Sequence, residues 1–166
     1  MRSRFPLLLL ASLALAGGIV WIVVATNQAA LVTLEGSILK VRTYPLNAQS
    51  TLVIADFRIT NPSALLFEVD SLEMFVDRAG SPPAPAGILG RTEVDLVFQY
   101  QKLTGPKYNN TLIVSNRIQP GATLDRMIAG RVELTEAEIE SRTGVRLRIQ
   151  EFRGQVAEIA EAPALK

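Results

Sequence analysis

The chain has 166 residues, 48% of them hydrophobic, with 17 basic against 16 acidic side chains and neither histidine nor cysteine. So even a charge balance argues against nucleic acid as a partner. The missing cysteines exclude disulfides, a lipid-modified cysteine and thiolate metal sites, and the missing histidines remove the commonest general base and metal ligand.

The first element is apolar. Leu7 to Ala25 is a run of about 19 residues without a charge, close to the roughly 20 that carry a helix across a bilayer core. Arg2 and Arg4 precede it and Glu35 is the first charge after it. The positive-inside rule then places residues 1–6 in the cytoplasm and the remainder outside, periplasmic or extracellular. Residues 1–28 read as a single-pass signal-anchor, residues 29–160 as one domain, and residues 161–166 as a flexible tail. Trp21 falls where an indole would sit at the outer interface. The rival reading is a cleaved signal peptide: Ala14-Leu15-Ala16 has the small-x-small pattern, and a later site lies near Gln28. Cleavage after Ala16 would leave an apolar mature N-terminus, so the uncleaved anchor is preferred.

The domain reads as strands. Ala30 to Tyr44 is a long one whose apolar parity switches beside Gly36-Ser37, where a bulge is expected, and Pro45 and Asn47 close it. Leu52 to Asn61 alternates most clearly, with Val53, Ala55, Phe57 and Ile59 on one face and Asp56, Arg58 and Thr60 on the other. A third strand follows Leu65-Leu66-Phe67 and runs to Val76, with a second parity change near Asp70-Ser71. Arg78 to Gly90, rich in proline and glycine, reads as a loop. Arg91 to Leu103 fits either period, and its Thr92-x-x-Asp95 start and Gly105-Pro106 stop favour a helix. Leu112–Ile118 and Ile128–Leu134 are further strands, and Thr135-Glu136-Ala137-Glu138 has the spacing of a capping box for a short helix over 136–142. Val145, Leu147 and Ile149 open a last strand that runs to Ile159 past a break at Gly154. Six or seven strands with proline and glycine turns give an all-β antiparallel sandwich carrying one or two short helices.

The strand 31–44, the strand ending in Asn61-Pro62-Ser63, and the strand 68–76 together resemble the group 2 late-embryogenesis-abundant proteins. Their shared unit is the WHy (water stress and hypersensitive response) domain. The hallmark is an alternating strand closed by Asn-Pro and a small or polar residue. The resemblance implies an immunoglobulin-like or fibronectin-III-like sandwich, often behind a membrane span, with a non-enzymatic role in stress or desiccation. It brings no catalytic residues. The chain departs from the family in having no tryptophan in the domain itself, and in the length of 87–116.

Asn61, Pro62 and Ser63 form the candidate structural or interaction turn. Asp56 and Arg58 read as a solvated pair on an outer face. Glu68, Asp70 and Asp77 lack the spacing of a calcium loop. Arg146, Arg148, Arg153 and Arg131 could face lipid headgroups, but Glu133, Glu151 and Glu158 are interleaved and point to cross-strand pairs. Asn109-Asn110-Thr111 matches the glycosylation tripeptide. Lys40, Lys102 and Lys107 lie outside any Ser-x-x-Lys context, so no nucleophile has a base. The expectation is a membrane-anchored protective or protein-interaction module of the cell envelope, without catalytic residue, cofactor or metal. Its partners are the membrane and an envelope protein or lipid. The alternative is a lipid-binding or small apolar ligand-binding domain of an envelope transport system, with the ligand held between the sheets.

Overall fold

The computed structural model describes residues 33–100 and 105–161, together with Leu15, Gly17, Gly18, Ile19 and Trp21. The chain divides into two units, Met1–Leu31 and Val32–Lys166. In the first, the described positions are helical. The remainder of the expected anchor, with both alternative cleavage sites, lies outside the described residues. Among the described residues no helix is long and apolar enough to cross a membrane.

The second unit is all-β with two helices. Its elements are β1 (Glu35–Asn47), β2 (Ser50–Thr60), β3 (Phe67–Arg78), β4 (Ser81–Ile88), α1 (Arg91–Tyr100), β5 (Asn110–Thr111), β6 (Arg117–Ile118), β7 (Thr123–Val132), α2 (Glu136–Glu140), β8 (Gly144–Glu151) and β9 (Val156–Ala160). The strands run in the order β1-β2-β7-β4-β3-β8-β9, each antiparallel to its neighbours. The short β5 lies parallel to β7, and β6 pairs with β3. The sheet curls until its ends meet, where Ile38 bridges Glu161. Glu161, assigned from sequence to the flexible tail, is therefore tied in; its carboxylate also pairs with Arg142 at 3.1 Å.

The alternation in β2 sets the core. Val53, Ala55, Phe57 and Ile59 are fully buried and pack with Phe67, Met74, Val76, Leu147, Ile149 and Ile159 from the opposite strands. Burial of such side chains is worth about 1.5–3 kcal/mol each. The second parity change is real: the β3–β8 register slips between Val69 and Ser71. The first falls slightly later than expected, between Ile38 and Lys40.

Three expectations are corrected. Pro45 does not end β1, which continues to Asn47 with Pro45 opposite Thr51. Beyond Ile38, β1 is paired only on its β2 side among the described residues, so a residue without an N–H is tolerated there. The segment 78–90 is no loop; it turns at Gly80 (φ 68°) and returns as β4, whose Pro85 pairs with Phe75. Its prolines all precede Ala86, where pairing to β7 begins, so they lie in a stretch bonded on one side only. Leu112–Ile118 is not one strand: two-residue strands flank a turn in which Ser115 holds φ 67°.

The helices follow local signals. α1 spans Arg91–Tyr100 and buries Val94. α2 starts at a full capping box: the Glu138 N–H donates to Thr135 Oγ1 at 3.3 Å, and the Thr135 N–H donates to Glu138 Oε2 at 2.9 Å. The Thr135 N–H and hydroxyl, both donating to Glu138 Oε2, hold the Glu138 carboxyl below its usual range.

Gly36 stands where β1, β2 and β9 converge. A Cβ there would run into the Arg58 carbonyl oxygen and come within 3.1 Å of Ile159 Cδ1. Gly36→Ala is therefore expected to cost about 1–3 kcal/mol through overpacking. Chemical denaturation of the variant checks it, and a wild-type midpoint would contradict the packing described.

Candidate functional site

The outer face of β2 carries Leu52, Ile54 and Asp56, and it is covered rather than solvated. Leu52 and Ile54 pack with Val94, Met127 and Ala129, and with the half-buried Tyr44, Leu89, Val97 and Phe98. α1 thus acts as a lid over a second, smaller apolar cluster. This places Phe98 outside the main core, and Phe75 is only half-buried. Phe57 and Phe67, by contrast, lie within the main core.

Asp56 lies at the edge of this second cluster, only 4% exposed. It accepts from Arg42 Nη2 at 2.8 Å and from Asn109 Nδ2 at 2.9 Å. The Arg42 guanidinium also stands 5.2 Å from the Phe98 ring and 5.4 Å from the Tyr108 ring, in cation–π range of both. Its Nη1 donates to the Pro106 carbonyl at 3.0 Å. Arg42 on β1, Asp56 on β2 and the segment 106–109 are therefore fastened at one point. The expectation of an exposed Asp56–Arg58 pair is corrected: Arg58 instead makes a two-pronged pair with Asp125 on β7, at 2.7 and 2.9 Å. That bond lowers the Asp125 pKa and raises that of Arg58. Sequence alternation could place Asp56 on the outer face but could not show that α1 and residues 106–109 fold over it.

The turn Asn61-Pro62-Ser63 is built around a fully buried amide. Asn61 Nδ2 donates to the carbonyls of Leu65 (2.8 Å) and Ile118 (3.0 Å). Its Oδ1 accepts from the Ser63 N–H (3.1 Å) and is 2.6 Å from the Ser63 hydroxyl. The backbone adds a second tie: the Asn61 N–H donates to Ala122 O, and the Gly121 N–H donates to Asn61 O. Asn61 thus fills its side-chain hydrogen-bonding capacity while clamping the β2–β3 turn to the β6–β7 connection. Pro62 is exposed and Ser63 half-exposed.

The remaining sequence candidates are dispersed into ion pairs. Glu68 pairs with Arg117 and Asp77 with Arg146, so Glu68, Asp70 and Asp77 do not converge, and no acidic cluster suited to a metal occurs among the described residues. Arg146 bridges Asp77 (2.6 Å) and Glu158 (3.2 Å), Arg148 reaches Glu73 (3.4 Å), and Arg131 pairs with Glu133 (2.9 Å). The Arg146 and Arg148 pairs are the cross-strand alternation expected from the interleaved charges, whereas Arg131 and Glu133 pair along one segment. Asn109 donates its side-chain amide to Asp56, and Lys107 pairs with Asp95 at 2.5 Å. A polar cleft of about 360 Å³ that sequence reasoning missed lies between α1 and the β5–β7 region, lined by Arg91, Lys107, Arg117 and Arg126 among others.

No family model matches the chain, and no curated protein matches it. Among solved structures it is similar to the archaellum periplasmic stator protein FlaG from Sulfolobus acidocaldarius, at 12% identity over 78% of this chain and 99% of that one, with a TM-score of 0.32. A structure of the FlaF and FlaG stator complex from the same organism matches at 13% identity, 75% and 86% coverage and a TM-score of 0.31. An uncharacterised β-sandwich protein from Clostridium difficile 630 matches at 13% identity, 80% and 82% coverage and a TM-score of 0.32. Similarity at this level carries no argument about function or partners.

Two substitutions separate the buried ties from the surface pairs. Asn61→Ala strands two carbonyls and a serine and should lower stability by about 2–4 kcal/mol. Asp56→Ala leaves the largely buried Arg42 without its carboxylate and should cost about 3–5 kcal/mol. Arg58→Ala, which breaks an exposed pair, should stay within about 1 kcal/mol of wild type. Urea unfolding of the three variants checks the order, and equal losses would contradict it.

Proposed function

We propose that the chain is a non-enzymatic interaction module: an immunoglobulin-like sandwich held outside the cytoplasm by an uncleaved N-terminal span, of the group 2 late-embryogenesis-abundant (WHy) type. Strand order supports the sandwich. β1-β2-β7-β4 and β3-β8-β9 repeat the four-plus-three arrangement of a constant-type immunoglobulin domain. The departure is the β3–β4 hairpin, which joins the two layers into one continuous sheet. The strand-closing Asn61-Pro62-Ser63 supports the family assignment, and the Arg2 and Arg4 flank supports the orientation.

The observation that carries the functional reading is the filled interior. Phe57, Ile59, Phe67, Met74, Val76, Leu147 and Ile149 are each at most 1% exposed and pack in one cluster between the layers. Side chains occupy the space that an apolar ligand between the sheets would need. This favours a rigid scaffold that works through its surface over a carrier that works through its core. A protective role toward membrane-proximal proteins under water stress fits that surface-only design.

The test is photo-crosslinking of the full-length chain in membranes, with the probe placed in turn at exposed Pro62, Phe152 and Glu133. Capture of a discrete envelope protein from one of these positions, by a chain whose intact N-terminus is found by mass spectrometry, is the expected result. A mature protein beginning at Gly17 or near Gln28 would overturn the anchored reading. Label confined to lipid, or recovery of an apolar ligand bound inside the domain, would overturn the interaction reading.

A further inference from the structure

The cleft beside α1 has an uneven charge inventory in a protein with nearly equal numbers of acids and bases. Four of its lining residues are basic and one, Asp95, is acidic. Asp95 is taken by Lys107 at 2.5 Å, and Arg117 is held by Glu68 at 3.1 Å. Arg91 and Arg126 have no carboxylate within ion-pair distance among the described residues. Arg126 donates one N–H to the Asp125 carbonyl, while the Asp125 carboxylate belongs to Arg58. Thr111 lines the same cleft, is only 2% exposed, and its hydroxyl makes no hydrogen bond among the described residues.

We infer that this cleft is a binding site for a phosphate-type oxyanion. The chemistry follows from the donors. A guanidinium offers a planar fork of N–H groups matched to two oxygens of one phosphate, and two unpaired forks in a concave site favour a compact, multiply charged oxyanion over a single carboxylate. Thr111 adds a hydroxyl, while the Lys107 charge is balanced by Asp95. The cleft's walls come from α1, β5, the turn 112–116, β6 and β7, so it shares α1 and β7 with the second cluster. About 360 Å³ accommodates a phosphate group with a small organic substituent. Such a group is carried by a free phosphate or by an anionic lipid headgroup, and the recognition chemistry is the same.

Side-chain NMR of the full chain, observing the Nε–H signals of Arg91 and Arg126, tests the site. In nonionic detergent, inorganic phosphate is titrated at constant ionic strength against chloride. In bicelles, phosphatidylcholine is compared with and without phosphatidic acid. Saturable shifts of both arginines with inorganic phosphate identify a free anion as sufficient. Shifts seen only with phosphatidic acid identify a headgroup. Either supports the site. Arg126→Gln and Arg91→Gln should each weaken the response of the remaining arginine about tenfold or more, while Arg153→Gln, at the β8–β9 turn, leaves it unchanged. If Arg126→Gln does not fold, Arg126→Lys keeps the charge, loses the fork and should bind more weakly than wild type. Absence of saturation in both media, equal shifts with chloride, or full binding by the arginine variants would overturn the proposal.

Discussion

β2 carries apolar side chains on both of its faces, and a strand built that way has to be covered twice. The face with Val53, Ala55, Phe57 and Ile59 is covered by the opposite strands of the curled sheet. The face with Leu52 and Ile54 needs a different cover, and α1 supplies it through Val94, Val97 and Phe98. Once α1 lies there, the polar residue next along that face cannot reach water freely. Asp56 is buried as a consequence, and burial of a carboxylate requires a charged partner and further donors. Arg42 and Asn109 meet that requirement, and Arg42 in turn is stacked between Phe98 and Tyr108. The position of the helix, the path of residues 106–109 and the cleft beside them all descend from the two-sided burial of one strand.

The charged surface is organised by a different logic. Arg58, Arg146 and Arg148 each face acidic residues on neighbouring strands. Individually these exposed pairs contribute little to stability. Collectively they remove free charge from the sheet, which makes the unpaired arginines of the cleft stand out. A chain with nearly equal numbers of acids and bases can still concentrate one sign locally when most of the opposite sign is spent elsewhere.

Much of this was legible in the residues, where local rules act alone. The period of two in Val53-x-Ala55-x-Phe57-x-Ile59 gave the core face. The parity change at Asp70-Ser71 gave the β3 bulge, and Thr135-x-x-Glu138 gave the start of α2. The readings that changed are those in which tertiary context outweighs a local signal. Proline marks a break only if its missing N–H is needed. Pro45 and the prolines of β4 lie where one side of the strand is unpaired, so they do not interrupt the sheet. Asp56 and Arg58 share a face in the alternation, yet helix cover ends between them, and one is buried while the other is exposed. The cleft brings together residues from 91 to 126 that share no motif, and only the fold assembles them.

The hairpin of β3 and β4 has a consequence for how the protein behaves at high concentration. From Ser81 to Pro85 the side of β4 turned away from β3 has no strand against it among the described residues, since its pairing to β7 begins at Ala86. An open edge of this kind is a template on which another chain can add a strand, the usual first step toward aggregation. Pro82, Pro83 and Pro85 occupy that stretch and cannot offer the N–H groups that an incoming strand would use. The proline cluster thus works as a gatekeeper against self-association. The edge is closed by donors that are missing rather than by added charge, while the Pro82 carbonyl still accepts from Arg78 at 2.9 Å and Pro85 still faces Phe75.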